Sequence, residues 1–102
     1  MTKDQQRICL RAVDHFGARH QIQKAIEEMG ELITELSRLQ DNRTSKELIR
    51  GELADVIIMA EQLRILYGPA DVDACIERKL EELWSVKMRL PACRMPKGGG
   101  EE

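Results

Sequence analysis

Ile22-Gln23-Lys24-Ala25-Ile26-Glu27-Glu28-Met29-Gly30-Glu31-Leu32-Ile33 reads as an amphipathic helix with an acidic edge. At ~100° per residue, Ile22, Ala25, Ile26, Met29, Leu32, Ile33, Leu36 and Leu39 fill one broad face, so the helix is expected to run from about Arg19 to Gln40. On the same wheel Glu28 borders the apolar face, Glu31 lies ~60° further round, and Glu27 points nearly away from the core. A second acidic pair, Glu52 and Asp55, stands at i, i+3 in the next periodic segment, beside the otherwise apolar run Leu53 to Ala60. Charge in such surroundings is costly unless it faces water or a cation holds it.

Working outward, Thr2 and Gln5 form a capping box for a first helix of Lys3 to Phe16, with Ile8, Cys9, Ala12, Val13 and Phe16 as its stripe and Gly17 as its stop. Asp41 to Thr44 has turn composition, and Thr44 or Ser45 caps a third helix reaching about Tyr67. Its main stripe is Ile49, Leu53, Val56, Ile57, Ala60 and Leu63, while Ala54, Ile58 and Ile65 make a second strip that calls for a second partner, expected to be another subunit. Gly68-Pro69 separates it from a fourth helix, capped by Asp71 and extending to about Leu90. The expectation is an all-α domain over residues 1–90, an antiparallel bundle of about four helices completed by self-association, followed by a disordered tail over residues 91–102.

Composition narrows the function. The chain has 102 residues, a net charge of −2, and only Phe16, Tyr67 and Trp84 as aromatics, so it lacks the basic footprint and stacking platform of a nucleic-acid binder. Cys9, Cys75 and Cys93 have no Cys-x-x-Cys spacing, which favours reduced thiols over a disulfide framework or zinc site. There is no apolar run long enough to span a membrane and no signal-peptide core at Met1 to Arg7, so a cytoplasmic location is expected.

Either acidic pair alone says little in a chain that is 33% charged. Together they say more. A short turn makes the second and third helices antiparallel neighbours, and at ~1.5 Å per residue Glu52 and Asp55 fall level with Glu31 and Glu28. Carboxylates gathered this way repel one another unless a cation intervenes, and an all-oxygen donor set without His or Cys suits Mg²⁺, with Mn²⁺ as the alternative. The Glu-x-x-His motifs of a di-iron bundle are absent.

Glu27-Glu28-x-x-Glu31 followed by Glu52-x-x-Asp55 resembles the signature of the MazG-like branch of the all-α nucleoside triphosphate pyrophosphohydrolases. Phe16-Gly17, Gln21, Lys24-Ala25, Ala54-Asp55-Val56 and Glu77-Arg78-Lys79-Leu80 extend the likeness over roughly residues 15–90. The stretch Asp71 to Leu90 departs from the branch in lacking the asparagine that many relatives carry there. The resemblance implies Mg²⁺-dependent cleavage of a nucleoside triphosphate between its α and β phosphates; the two apolar faces of the third helix add the expectation of a homodimer or homotetramer. It implies Glu28, Glu31, Glu52 and Asp55 as metal ligands and catalytic carboxylates, one of which orients or deprotonates the attacking water. Glu27 matches the motif's extra acid. Gln21, Lys24 and Lys79 are the substrate-binding candidates. For each a plainer reading stands beside it: Gln21 as an exposed helical residue, Lys24 as an i, i+4 ion pair with Glu28, Lys79 as a surface lysine. Trp84 is expected to pack rather than stack on a base. The alternatives to this activity are a diphosphohydrolase of another nucleotide, and a helical oligomerisation or regulatory module without catalysis.

Overall fold

Helix α1 spans Lys3–Phe16, as its end signals dictate. The Thr2 hydroxyl accepts from the Gln5 amide at 3.1 Å while the Gln5 side chain accepts from the Thr2 amide at 2.9 Å, satisfying two donors that the first turn leaves without helical partners. Gly17, at φ +88°, is the only residue between α1 and α2 (Ala18–Leu39), a backbone turn that an L side chain would strain. The computed structural model describes residues 1–90, and the expected tail, residues 91–102, lies outside the described residues.

The α2 C-terminus closes through Asn42, which takes the left-handed conformation at φ 57°. The Arg43 amide donates to the Arg38 carbonyl at 3.0 Å and the Asn42 amide to the Leu39 carbonyl at 3.1 Å, the pairing that satisfies a helix's last carbonyls. Ser45 then caps α3 (Lys46–Leu66), accepting from the Leu48 amide at 3.2 Å. Thr44, the other capping candidate, instead donates to Glu35 at 2.6 Å and ties the turn back to α2.

Met1–Gly68 forms one compact unit and the chain from Pro69 a second. In the first unit α3 packs against both α1 and α2. Gln21 meets Gln62, and seven residues further along α2 Glu28 lies near Glu52, so α2 and α3 run antiparallel. Of the second apolar strip of α3, Ala54 and Ile58 remain exposed, Ile58 by 42%, and Ile65 is half-buried. Ile58 lines an open cavity of about 220 Å³ with Met1 and the α1 residues Gln5, Ile8 and Cys9. Burial raises the Cys9 thiol above its ordinary pKa, with a further push from the Glu61 charge, which keeps it protonated.

The buried set of the first unit is small: Cys9, Val13, Ala25 and Met59, with the polar Gln21, Glu28 and Gln62. The broad apolar face of α2 divides. Ala25 turns inward, whereas Ile26, Met29, Ile33 and Leu36 remain exposed, Ile33 by 64%.

In the second unit α4 spans Pro69–Glu82 and continues as a π-helical turn, Leu83–Lys87. Asp71 therefore lies in the first turn and does not precede it. Pro69 opens the helix instead, where its missing N–H is no loss. The expected extension to Leu90 stops short, because the Met88 amide bonds the Leu83 carbonyl at 2.9 Å and Arg89 then takes a positive φ of 57°. Among the described residues there are four α-helices, the π-helical turn and no strand, and none of these helices is long and apolar enough to cross a membrane.

Candidate metal centre

Three of the four sequence-derived acids converge. Glu28, Glu31 and Glu52 each offer a carboxylate oxygen, and these oxygens all lie within 4.8 Å of one another. The antiparallel pairing of α2 with α3 is what brings Glu52 opposite Glu28, and the i, i+3 spacing adds Glu31 from the same helix. Asp55 is exposed and stands outside this group.

The donors differ in burial. Glu28 is only 8% exposed, Glu52 is half-buried and Glu31 faces solvent. Glu28 Oε1 and Glu52 Oε2 are buried without a hydrogen-bond partner among the described residues. A buried carboxylate oxygen without a donor is an energetic liability that a positive charge relieves. With carboxylates as the only donors, the set fits a hard divalent cation better than a soft one.

The crowding is visible in Glu31. Its pKa is raised, first by the negative charge of Glu28 and then by a hydrogen bond and charge interaction with Glu52, because adding another anion to the group is unfavourable. The metal-free native protein thus holds a proton on Glu31 that the unfolded chain releases earlier as pH rises. Native stability accordingly falls as pH climbs from about 4.3, the ordinary glutamate value, through the raised one. Thermal unfolding in metal-free buffer should show this decline, and Glu31→Gln, which has nothing there to titrate, should lose that part of it. Equal slopes for the two proteins would refute the crowding.

The remaining candidates separate. Lys24 Nζ lies 3.3 Å from Glu28 Oε2 and 3.9 Å from Glu27 Oε1. Its pKa is raised, chiefly by the hydrogen bond to Glu28 and then by the charge of Glu28. Glu27 is exposed and away from the convergence point. Lys79 is exposed on α4, in the second unit, and Trp84 is half-buried in the π-helical turn of that unit.

Gln21 is buried, not an exposed polar residue of its helix. Its Nε2 donates to Gln62 Oε1 at 2.6 Å and its Oε1 lies 2.7 Å from His20 Nδ1, while Gln62 Nε2 reaches Met59 Sδ at 3.7 Å. His20 stacks on Phe16, with ring centroids 5.0 Å apart. Gln62 was not among the sequence candidates. The available signal was a polar residue one turn after Met59, at the edge of the apolar positions of α3. No protein-family model, curated protein or solved structure matches the chain.

Proposed function

We propose that the chain is a Mg²⁺-dependent nucleoside triphosphate pyrophosphohydrolase of MazG-like type, acting on the cytoplasmic nucleotide pool and accepting Mn²⁺ as an alternative metal. The observation that carries this reading is the convergence of Glu28, Glu31 and Glu52, with two of their buried oxygens lacking a hydrogen-bond partner among the described residues. The motif likeness adds the nucleotide and the α–β bond.

Glu28, Glu31 and Glu52 are the residues that hold the cation, and Asp55, one helical turn beyond Glu52, is assigned to the same centre as its fourth carboxylate. When bound, Mg²⁺ polarises phosphoryl oxygens and makes a coordinated water easier to deprotonate. A carboxylate outside the tightest group suits the role of taking the water's proton, and Asp55 meets that description. Lys24, on the same edge of α2, offers a point charge to the phosphates. For Lys79 the support is the motif likeness alone. A pyrophosphate-release screen of canonical and damaged nucleoside triphosphates with Mg²⁺ or Mn²⁺ tests the reading. Release from at least one of them is expected, and no release from any would refute it.

Self-association, as a homodimer or homotetramer, belongs to the same proposal. Ile26, Met29, Ile33 and Leu36 alternate at spacings of three and four along the exposed side of α2, the seam pattern of paired helices, and Leu53 and Ile57 are exposed on α3. Gly30 adds support. A mid-helix glycine costs about 1 kcal/mol against alanine, yet a Cβ built there would meet nothing within 4 Å among the described residues, so their packing does not require it. Ile33→Glu is expected to shift the wild-type oligomer to monomer in sedimentation or light-scattering measurements. A monomeric wild type, or an unchanged mass in the variant, would refute the seam.

A further inference from the structure

Lys24 deserves a role of its own because of what it is paired with. Its partner Glu28 is a buried carboxylate with one oxygen, Oε2, 3.3 Å from Lys24 Nζ and the other, Oε1, without a hydrogen-bond partner among the described residues. The lysine head itself remains about half exposed, at 48% of its side chain, so one end of the ion pair is fixed and the other can leave. Lys24, Glu28 and Glu31 stand at i, i+4 and i+7, along one edge of α2. Glu27, the other neighbour of the ammonium at 3.9 Å, lies outside the convergent group.

We infer that Lys24 is an exchangeable counter-ion of the acidic centre, seated on Glu28 when no divalent cation is bound and moving to anionic phosphate once one is. The inference rests on the metal-centre reading above and adds to it a coupling between metal and substrate. A cation arriving among Glu28, Glu31 and Glu52 takes over the negative charge that holds Lys24 and repels the ammonium as well. The lysine stem, with four flexible methylenes, then carries the charge away from Glu28. A polyphosphate at the loaded centre supplies the replacement anion. Metal and phosphate thus strengthen one another's binding through Lys24, since each favours the position of the side chain that the other needs.

The experiment is calorimetric and needs no turnover. Mn²⁺ is titrated into the wild type, Lys24→Met and Arg50→Met, first alone and then with inorganic triphosphate, a probe without a base. Arg50 is an exposed charge on α3, two residues before Glu52, so its loss reports the general field of one missing cation. Lys24→Met is expected to bind Mn²⁺ alone roughly five-fold more tightly than the wild type, the size of one ion pair released from competition, and Arg50→Met appreciably less so. With triphosphate present that advantage should shrink, Lys24→Met gaining less Mn²⁺ affinity from the anion than either other protein. If Lys24→Met and Arg50→Met behave alike, or Lys24→Met binds Mn²⁺ alone more weakly than the wild type, the exchange is refuted and the metal centre stands. If the wild type binds no Mn²⁺ at all, the metal centre falls and the exchange with it.

Discussion

Glu28→Gln is expected to make the metal-free protein more stable while removing its response to Mg²⁺. In the wild type, a buried carboxylate with an unpartnered Oε1 sits within a group of three acids, and one exposed lysine offsets part of that charge. A neutral amide of the same shape relieves the repulsion and gives up a helical ion pair of a few tenths of a kcal/mol, so the net gain is about 1 kcal/mol. Mg²⁺ at a hundred-fold excess over its Kd adds about 2.7 kcal/mol to a native state that binds it, and Glu28→Gln should forfeit nearly all of this. Pyrophosphate release should fall by about a hundred-fold or more, since even residues that only support metal ligands cost up to that much. Thermal unfolding with and without Mg²⁺, alongside a release assay, separates the two effects. A variant less stable than the wild type without metal, yet equally stabilised by Mg²⁺, would show that Glu28 is a structural acid.

Gln62→Ala is expected to destabilise the first unit by about 2 kcal/mol, a large effect for one uncharged side chain. The loss exceeds that of a single hydrogen bond because Gln21 Nε2 would be left buried with no acceptor, and the space of the amide would be only partly refilled. Replacing both residues, as Gln21→Leu with Gln62→Leu, should recover most of the loss, since neither helix then carries an orphaned amide. Urea unfolding checks this through the midpoint at constant slope. Equal destabilisation by the single and double variants would mean that the pair contributes shape and not hydrogen bonding.

Local chemistry made much of this fold legible. Helix α1 begins and ends where Thr2, Gln5 and Gly17 say it must, because a capping box and a positive-φ glycine act on the backbone directly. Ser45 did the same for α3. The fourth helix was harder. Asp71 looks like a cap and behaves as a first-turn acid behind Pro69, and the change to i→i+5 bonding at Leu83 has no compositional mark. Burial was least legible. Wheels turn apolar residues inward and polar ones outward, but Ile26 and Ile33 lie exposed while Gln21 and Gln62 are buried. A wheel cannot see that two amides on facing helices satisfy each other, nor which apolar residues of a broad face stay exposed. The same reasoning accounts for the acids. Spacing and axial level brought Glu28, Glu31 and Glu52 together, whereas Asp55, at the same i, i+3 spacing from Glu52, stands outside the group, a difference that spacing alone does not carry.

The proposed activity is cleavage between the α and β phosphates with water attacking the α phosphorus, and it is tested most directly by the fate of that water's oxygen. Hydrolysis of a reactive nucleoside triphosphate in heavy-oxygen water with Mg²⁺, followed by mass spectrometry of the products, is predicted to place the label in the nucleoside monophosphate and leave pyrophosphate unlabelled. Label in pyrophosphate, or orthophosphate as the product released, would contradict it.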